Sequence, residues 1–106
     1  MTDIMTERRV SPRFALSLVA DVSEPFDSNE LSGRLSDVSQ TGCYIDTLHP
    51  LAPGMHVKIR LRKDEKLFET LAKVIHVNPR RGMGLHWGTN PQEQYLTVLN
   101  HWLKNF

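Results

Sequence analysis

The clearest periodicity in the chain runs from His56 to Arg62, where Val57, Ile59 and Leu61 alternate with Lys58, Arg60 and Arg62. Strict alternation of this kind places one face of a strand in a core and the other in solvent, the pattern of a half-buried antiparallel strand. Weaker versions of the pattern recur on both sides. Phe14, Leu16, Leu18 and Ala20 alternate with Ala15, Ser17 and Val19, predicting a first strand over Phe14 to Val22. Leu31 to Asp37 predicts a second strand and Gly42 to Thr47 a third. Leu67 opens a long strand running to about Val77, and Met83, Leu85 and Trp87 predict the inward face of a last one. Between them lie polar or proline-bearing connections: SEPFDSNE (23–30), HPLAPG (49–54), the charged turn Lys63 to Lys66, and NPRRG (78–82).

After the last strand the period changes. Tyr95, Leu96, Leu99, Trp102, Leu103 and Phe106 recur at three-and-four spacing, the stripe of an amphipathic helix. Asn90 is suited to the N-cap, Pro91 to the first helical position and Glu93 to the third, a start resembling a capping box. Residues 1–13 are polar and rich in charge, and read as a flexible N-terminal arm. The expected fold is therefore mainly β: a six-stranded antiparallel barrel with a C-terminal α-helix. Barrel and helix together form a single domain over 14–106, and closure removes vulnerable sheet edges.

Composition narrows the function. With 106 residues, 40% hydrophobic and 24% charged, the chain reads as one soluble globular unit. No apolar run approaches the roughly 18 residues that span a bilayer, so no stable membrane insertion is expected. The start lacks the apolar segment of a secretory signal, which makes the cytoplasm the expected compartment. The lone Cys43 excludes an internal disulfide and reads as a small core residue, and the five histidines lack metal-ligand spacing. No metal site, cofactor or catalytic constellation is expected, and the chain is not read as an enzyme. A net charge of +1 provides no global field for nucleic acid, which counts against a small-barrel nucleic-acid binder. Charge is nevertheless uneven: three arginines and one glutamate lie between Glu7 and Arg13, against four acids and no base from Asp21 to Glu30. That asymmetry points to a local anion site on the arm.

Two short motifs sharpen this picture. Arg8, Arg9, Pro12 and Arg13 stand in ERRVSPR, and Asp37, Ser39 and Gly42 in DVSQTG, as Arg9-x-x-x-Arg13 followed by Asp37-x-Ser39-x-x-Gly42. In this order, and followed by a run of strands and the glycine-punctuated GMGLHW, the chain resembles the PilZ domain family, whose members bind the bacterial second messenger cyclic di-GMP. The resemblance runs from about Glu7 to the C-terminal helix, with no motif position substituted. It implies a PilZ-like barrel and a ligand site made by Arg8, Arg9, Arg13, Asp37, Ser39 and Gly42. It also implies a stand-alone receptor that signals through an effector protein, in motility, biofilm, surface polysaccharide or virulence. The residues themselves add two secondary candidates: Trp87, read first as core, and Arg81, in an exposed turn that reaches the ligand if it lies at the same barrel end.

The residue types suit that ligand. A guanidinium can bind phosphate bidentately, pair with the O6 and N7 edge of guanine, or stack on a base, none of which a lysine ammonium reproduces. A carboxylate at Asp37 can accept from guanine N1–H and its exocyclic amine, donors that adenine does not present in that pattern. Ser39 can donate or accept at short range, and Gly42 permits close backbone approach or a positive-φ turn. By resemblance, an arginine at Arg8 accompanies two mutually intercalated ligand molecules. The rival expectation is a PilZ-fold adaptor that binds proteins without nucleotide, which intact Arg9, Arg13, Asp37, Ser39 and Gly42 oppose.

Overall fold

The computed structural model of the chain describes residues 18–23, 30–63 and 65–104. The arm with Arg8, Arg9 and Arg13, and the first part of the predicted first strand, lie outside the described residues. Six strands follow in order: β1 (Leu18–Ser23), β2 (Glu30–Val38), β3 (Gly42–Asp46), β4 (His56–Lys63), β5 (Lys66–Asn78) and β6 (Gly82–His86). A single helix, α1 (Glu93–Lys104), ends the described chain. The strands close into a barrel in the order β1-β2-β3-β6-β5-β4, every neighbouring pair antiparallel. The expected mainly β barrel with a C-terminal helix is the observed architecture.

Closure depends on two long strands. β2 pairs with β1 over its first half and with β3 over its second, and β5 passes likewise from β4 to β6. Each carries a register shift where it changes partner, between Leu35 and Asp37 on β2 and between Val74 and His76 on β5. An extra residue bends a strand and increases its twist, which allows one strand to serve both halves of a small barrel.

The core follows the alternation. Val57, Ile59 and Leu61 of β4 are completely buried, as are Ala20 of β1, Ile45 of β3, Phe68 of β5 and Met83 of β6. Cys43 lies among them, fully buried. Burying side chains of this size stabilises the fold by about 1.5–3 kcal/mol each. Phe68 joins the barrel interior to its cover: its ring centroid is 4.9 Å from Trp87 and 6.5 Å from Tyr95 of α1. The helix packs against β5 and buries Leu99 and Trp102, with Tyr95, Val98 and Leu103 partly buried beside them.

The helix begins later than the capping pattern predicts. Its first residue is Glu93, and the Gln92 carbonyl accepts from the backbone N–H groups of Tyr95 and Leu96, both at 3.0 Å. Asn90 has another task. Its side-chain amide donates to the Leu71 carbonyl of β5 at 3.3 Å, and its backbone N–H donates to Trp87 O at 3.0 Å. A side chain tied to the barrel cannot also cap the helix, so Glu93 falls in the first turn, where its charge favours the positive end of the helix dipole.

On the outer face of β4 and β5, Glu69 accepts from Arg60 Nε at 3.1 Å and pairs with Lys58 Nζ at 3.0 Å. Partial burial works against the charge on Glu69. The hydrogen bonds and positive charges of Lys58 and Arg60 outweigh it and hold the carboxyl below its ordinary value. A lowered folded-state value means that this stabilisation is present above the unfolded carboxyl value and lost as pH falls through the folded one. The Glu69→Gln variant is expected to lose about 0.5–1 kcal/mol near neutrality, the scale of a half-exposed pair. In urea titrations the deficit relative to wild type should shrink towards zero as pH falls through the folded-state value of Glu69; a deficit that does not change with pH would assign the effect to packing rather than charge.

Candidate functional site

The second motif sits where β2 hands the chain to β3. Leu35 pairs with Ile45 and Asp37 with Tyr44, so two steps along β2 match one along β3, and Ser36 is the extra residue. The consequence is a change of face. Leu35 and Val38 are both buried although three positions apart, while Ser36 and Asp37 between them are half-buried. Without the bulge, period-two alternation would turn Asp37 to the same side as Leu35, into the core. The extra residue aims its carboxylate outward and returns Val38 to the interior.

Ser39 to Gly42 then make a tight loop held by its own groups. The Ser39 backbone N–H donates to the Gly42 carbonyl at 2.8 Å, and the Ser39 hydroxyl donates to the same oxygen at 3.3 Å. That hydroxyl also accepts from the Thr41 N–H at 3.3 Å, and Ser39 is only 4% exposed. Its first role is to build the loop. Gly42 meets β6 instead of a turn requirement: a Cβ there would stand 2.3 Å from the Leu85 carbonyl oxygen, against backbone that cannot yield.

Trp87 supports the loop from below. Its indole N–H donates to the Gln40 carbonyl at 2.9 Å, and its backbone N–H donates to Thr41 O at 2.8 Å. Gly88 adds a second donor to Thr41 O at 3.1 Å. At 1% exposure and packed on Phe68, the Trp87 ring has almost no face open to a ligand in this conformation. On the helix side, Gln40 donates its side-chain amide to Asn100 at 3.2 Å, tying the loop to α1.

Arg81, the other secondary candidate, is not brought to this loop. The β3–β6 ladder has Gly42 opposite His86 at one end and Asp46 opposite Gly82 at the other. Arg81 belongs to the turn at that second end, where its carbonyl accepts from Thr47 N–H at 3.0 Å. The length of β3 separates the two ends by about 13 Å. Asp37, Ser39, Gly42 and Trp87 thus share one end of the ladder, and Arg81 lies at the other. The motif reading overlooked Gln40 and Asn100, whose pairing spans the whole barrel in sequence and leaves no local signal. The bulge was more accessible: apolar Leu35 and Val38 three apart break the period of a strand.

Comparison with known proteins decides the family. The model of the PilZ domain matches residues 7–105. The chain belongs to the PilZ domain family. Solved PilZ structures share its fold. The PilZ domain of CeSA from a cellulose-synthesizing bacterium superposes with a TM-score of 0.70 at 21% identity, covering 90% of this chain and 97% of that one. The PilZ domain of YcgR from Escherichia coli, solved with c-di-GMP, gives a TM-score of 0.75 at 18% identity over 92% of this chain and 90% of that one. The Bacillus subtilis inhibitor of motility MotI/DgrA gives 0.77 at 16% identity, with 92% of this chain matching 50% of that longer one. No curated protein matches significantly. PilZ domains are receptor or adaptor folds, not enzymes. Among the described residues there is no cluster of three or more potential metal ligands and no helix long and apolar enough to cross a membrane.

The loop geometry separates architecture from ligand contact. Gly42→Ala should destabilise the free protein by roughly 1–3 kcal/mol, because its methyl group overpacks against the Leu85 carbonyl. Trp87→Phe should cost a similar amount, since it leaves the Gln40 carbonyl without its donor. Chemical denaturation without ligand checks both; wild-type stability in Gly42→Ala would refute the close approach of β3 and β6.

Proposed function

We propose that this chain is a cyclic di-GMP receptor without enzymatic activity, which acts by changing the surface that it offers to a partner protein. The observation that carries the reading is the PilZ match over residues 7–105, which takes in both Arg9-x-x-x-Arg13 and the loop beside which the bulge presents Asp37. The related YcgR domain, solved with c-di-GMP, supports the ligand class. In this reading Arg9 and Arg13 take phosphate and the Hoogsteen edge of guanine, and Asp37 takes the N1 and N2 donors of a base. Ser39 and Gly42 hold the loop that brings Asp37 into position, besides any contact of their own. Residues 1–13 act as an arm that closes over the ligand and so alters the partner surface.

The energetic scale is consistent with a moderate affinity. Charge-assisted hydrogen bonds contribute about 1.5–3 kcal/mol each, offset by about 1–2 kcal/mol for every arm residue that binding fixes. A nucleotide second messenger implies a cytoplasmic location. The names of two neighbours, an inhibitor of motility and a domain from a cellulose-synthesizing bacterium, make motility and biofilm the favoured outputs.

The rival reading, a nucleotide-independent adaptor, draws on one specific observation. Ser39 is required by the loop and Gly42 by the close approach of β6, so their presence is compatible with either function. The arginines and Asp37 therefore discriminate between the two.

Isothermal titration calorimetry with cyclic di-GMP, with GTP as control, tests the assignment. Arg9→Ala, Arg13→Ala and Asp37→Ala should each weaken binding by roughly tenfold or more, with circular dichroism spectra unchanged. Full affinity in Arg13→Ala would remove the arm from the site, and no binding by wild type would leave the adaptor reading. The same titration reads stoichiometry. Arg8 offers a third guanidinium to the added phosphates and base faces of a stacked ligand pair. Wild type should therefore bind two ligands per chain and Arg8→Leu about one; a wild-type ratio of one would remove that role from Arg8.

A further inference from the structure

Two sets of basic side chains stand out on the outer face of β4, β5 and β6. Lys58 and Arg60 are satisfied by Glu69, and Arg62 lies 3.8 Å from Asp21. A second group lies on one rung of the barrel. His56 of β4 is opposite Lys73 of β5, Lys73 is opposite His86 of β6, and His86 is opposite Gly42 of β3. The side chains of His56, Lys73 and His86 are all exposed, and no hydrogen bond or ion pair with a described residue engages them. They are also not on a flat surface. His56, Leu71, Lys73, His86 and Asn90 line a hollow of about 440 Å³ between the sheet and the segment that leads into α1.

The rung starts at the motif loop. Strand spacing puts Lys73 about 10 Å and His56 about 14 Å from Gly42 across the sheet. An ammonium flanked by two imidazoles offers a positive charge and ring N–H donors to one anion, and Gly42 puts no side chain between the loop and the first of them. A lysine in a concave site beside the motif loop, with no acidic partner among the described residues, suits a phosphate group, whose several oxygens can accept from the ammonium and the flanking ring N–H groups.

We propose that the rung His86–Lys73–His56 is an anion subsite continuous with the loop, and that it takes a phosphate of the bound cyclic dinucleotide. The inference rests on the cyclic di-GMP reading and deepens it.

Calorimetric titration with cyclic di-GMP at fixed ionic strength separates the two claims. Relative to wild type, Lys73→Met should raise Kd roughly tenfold and His86→Phe roughly threefold, while Lys73→Arg stays near wild type. Lys66→Met, which removes the same charge at the distant β4–β5 turn, should change Kd less than about twofold. The affinity of Lys73→Met should also fall less steeply with salt than that of wild type. A role in folding alone would leave that slope unchanged. Wild-type affinity in both Lys73→Met and His86→Phe, with binding lost in Asp37→Ala, would overturn the subsite and leave the receptor assignment standing. Equal losses in Lys66→Met and Lys73→Met would also overturn it, in favour of a diffuse charge effect. If wild type does not bind the dinucleotide, both claims fall together.

Discussion

In a small closed barrel successive residues of a strand point to the core and to the outside in turn, and an inserted residue reverses that order. This parity constraint governs the rest of the structure. β2 must bury Leu35 and still deliver Asp37 to the surface, two requirements of opposite parity on residues two apart. Ser36 resolves them by standing outside the register. β5 meets the same difficulty between Val74 and His76, and Ile75 takes the corresponding place, half exposed on the outer face. Both insertions fall on the strands that serve two neighbours in succession, so the irregularities that aim side chains also close the barrel.

The loop after β2 inherits its rigidity from that closure. Ser39 folds it onto the Gly42 carbonyl, and Trp87 holds it from the core side through Gln40 and Thr41. Asn100 of the helix reaches its remaining side through Gln40. Because Trp87 also packs on Phe68, and Phe68 on Tyr95, the loop shares one aromatic support with the barrel interior and the helix. A surface loop of four residues is thus fastened to three parts of the fold, the kind of support that holds a binding group in a single geometry.

Much of this was legible in the sequence where a local period expresses a single physical demand. The alternation from Val57 to Leu61 required one buried face, and the structure buries it. The stripe containing Leu99 and Trp102 required a covered helix face, and β5 provides it. The reading failed where a residue had two suitors. Asn90 has the chemistry of an N-cap, but the Leu71 carbonyl is a partner from another strand that no helical pattern reveals, and the helix starts at Glu93. Trp87 was read first as a core residue, with a ligand-facing role as the exception; it is buried, and its bond to Gln40 adds a support that no local pattern reveals. Arg81 was a candidate on the condition that its turn lay at the same barrel end as the motif, and strand pairing puts it at the other end of the β3–β6 ladder. In each case the deciding contact is non-local.

The structural demands on Ser39 and Gly42 have a consequence for descent. A lineage that ceased to use its ligand would still be held to glycine at Gly42, because any side chain there strikes the Leu85 carbonyl, and to a small hydroxyl at Ser39, because the loop folds around it. Selection for a foldable barrel preserves these two letters whatever the protein binds. Two relatives can therefore share this part of a signature through inherited architecture alone.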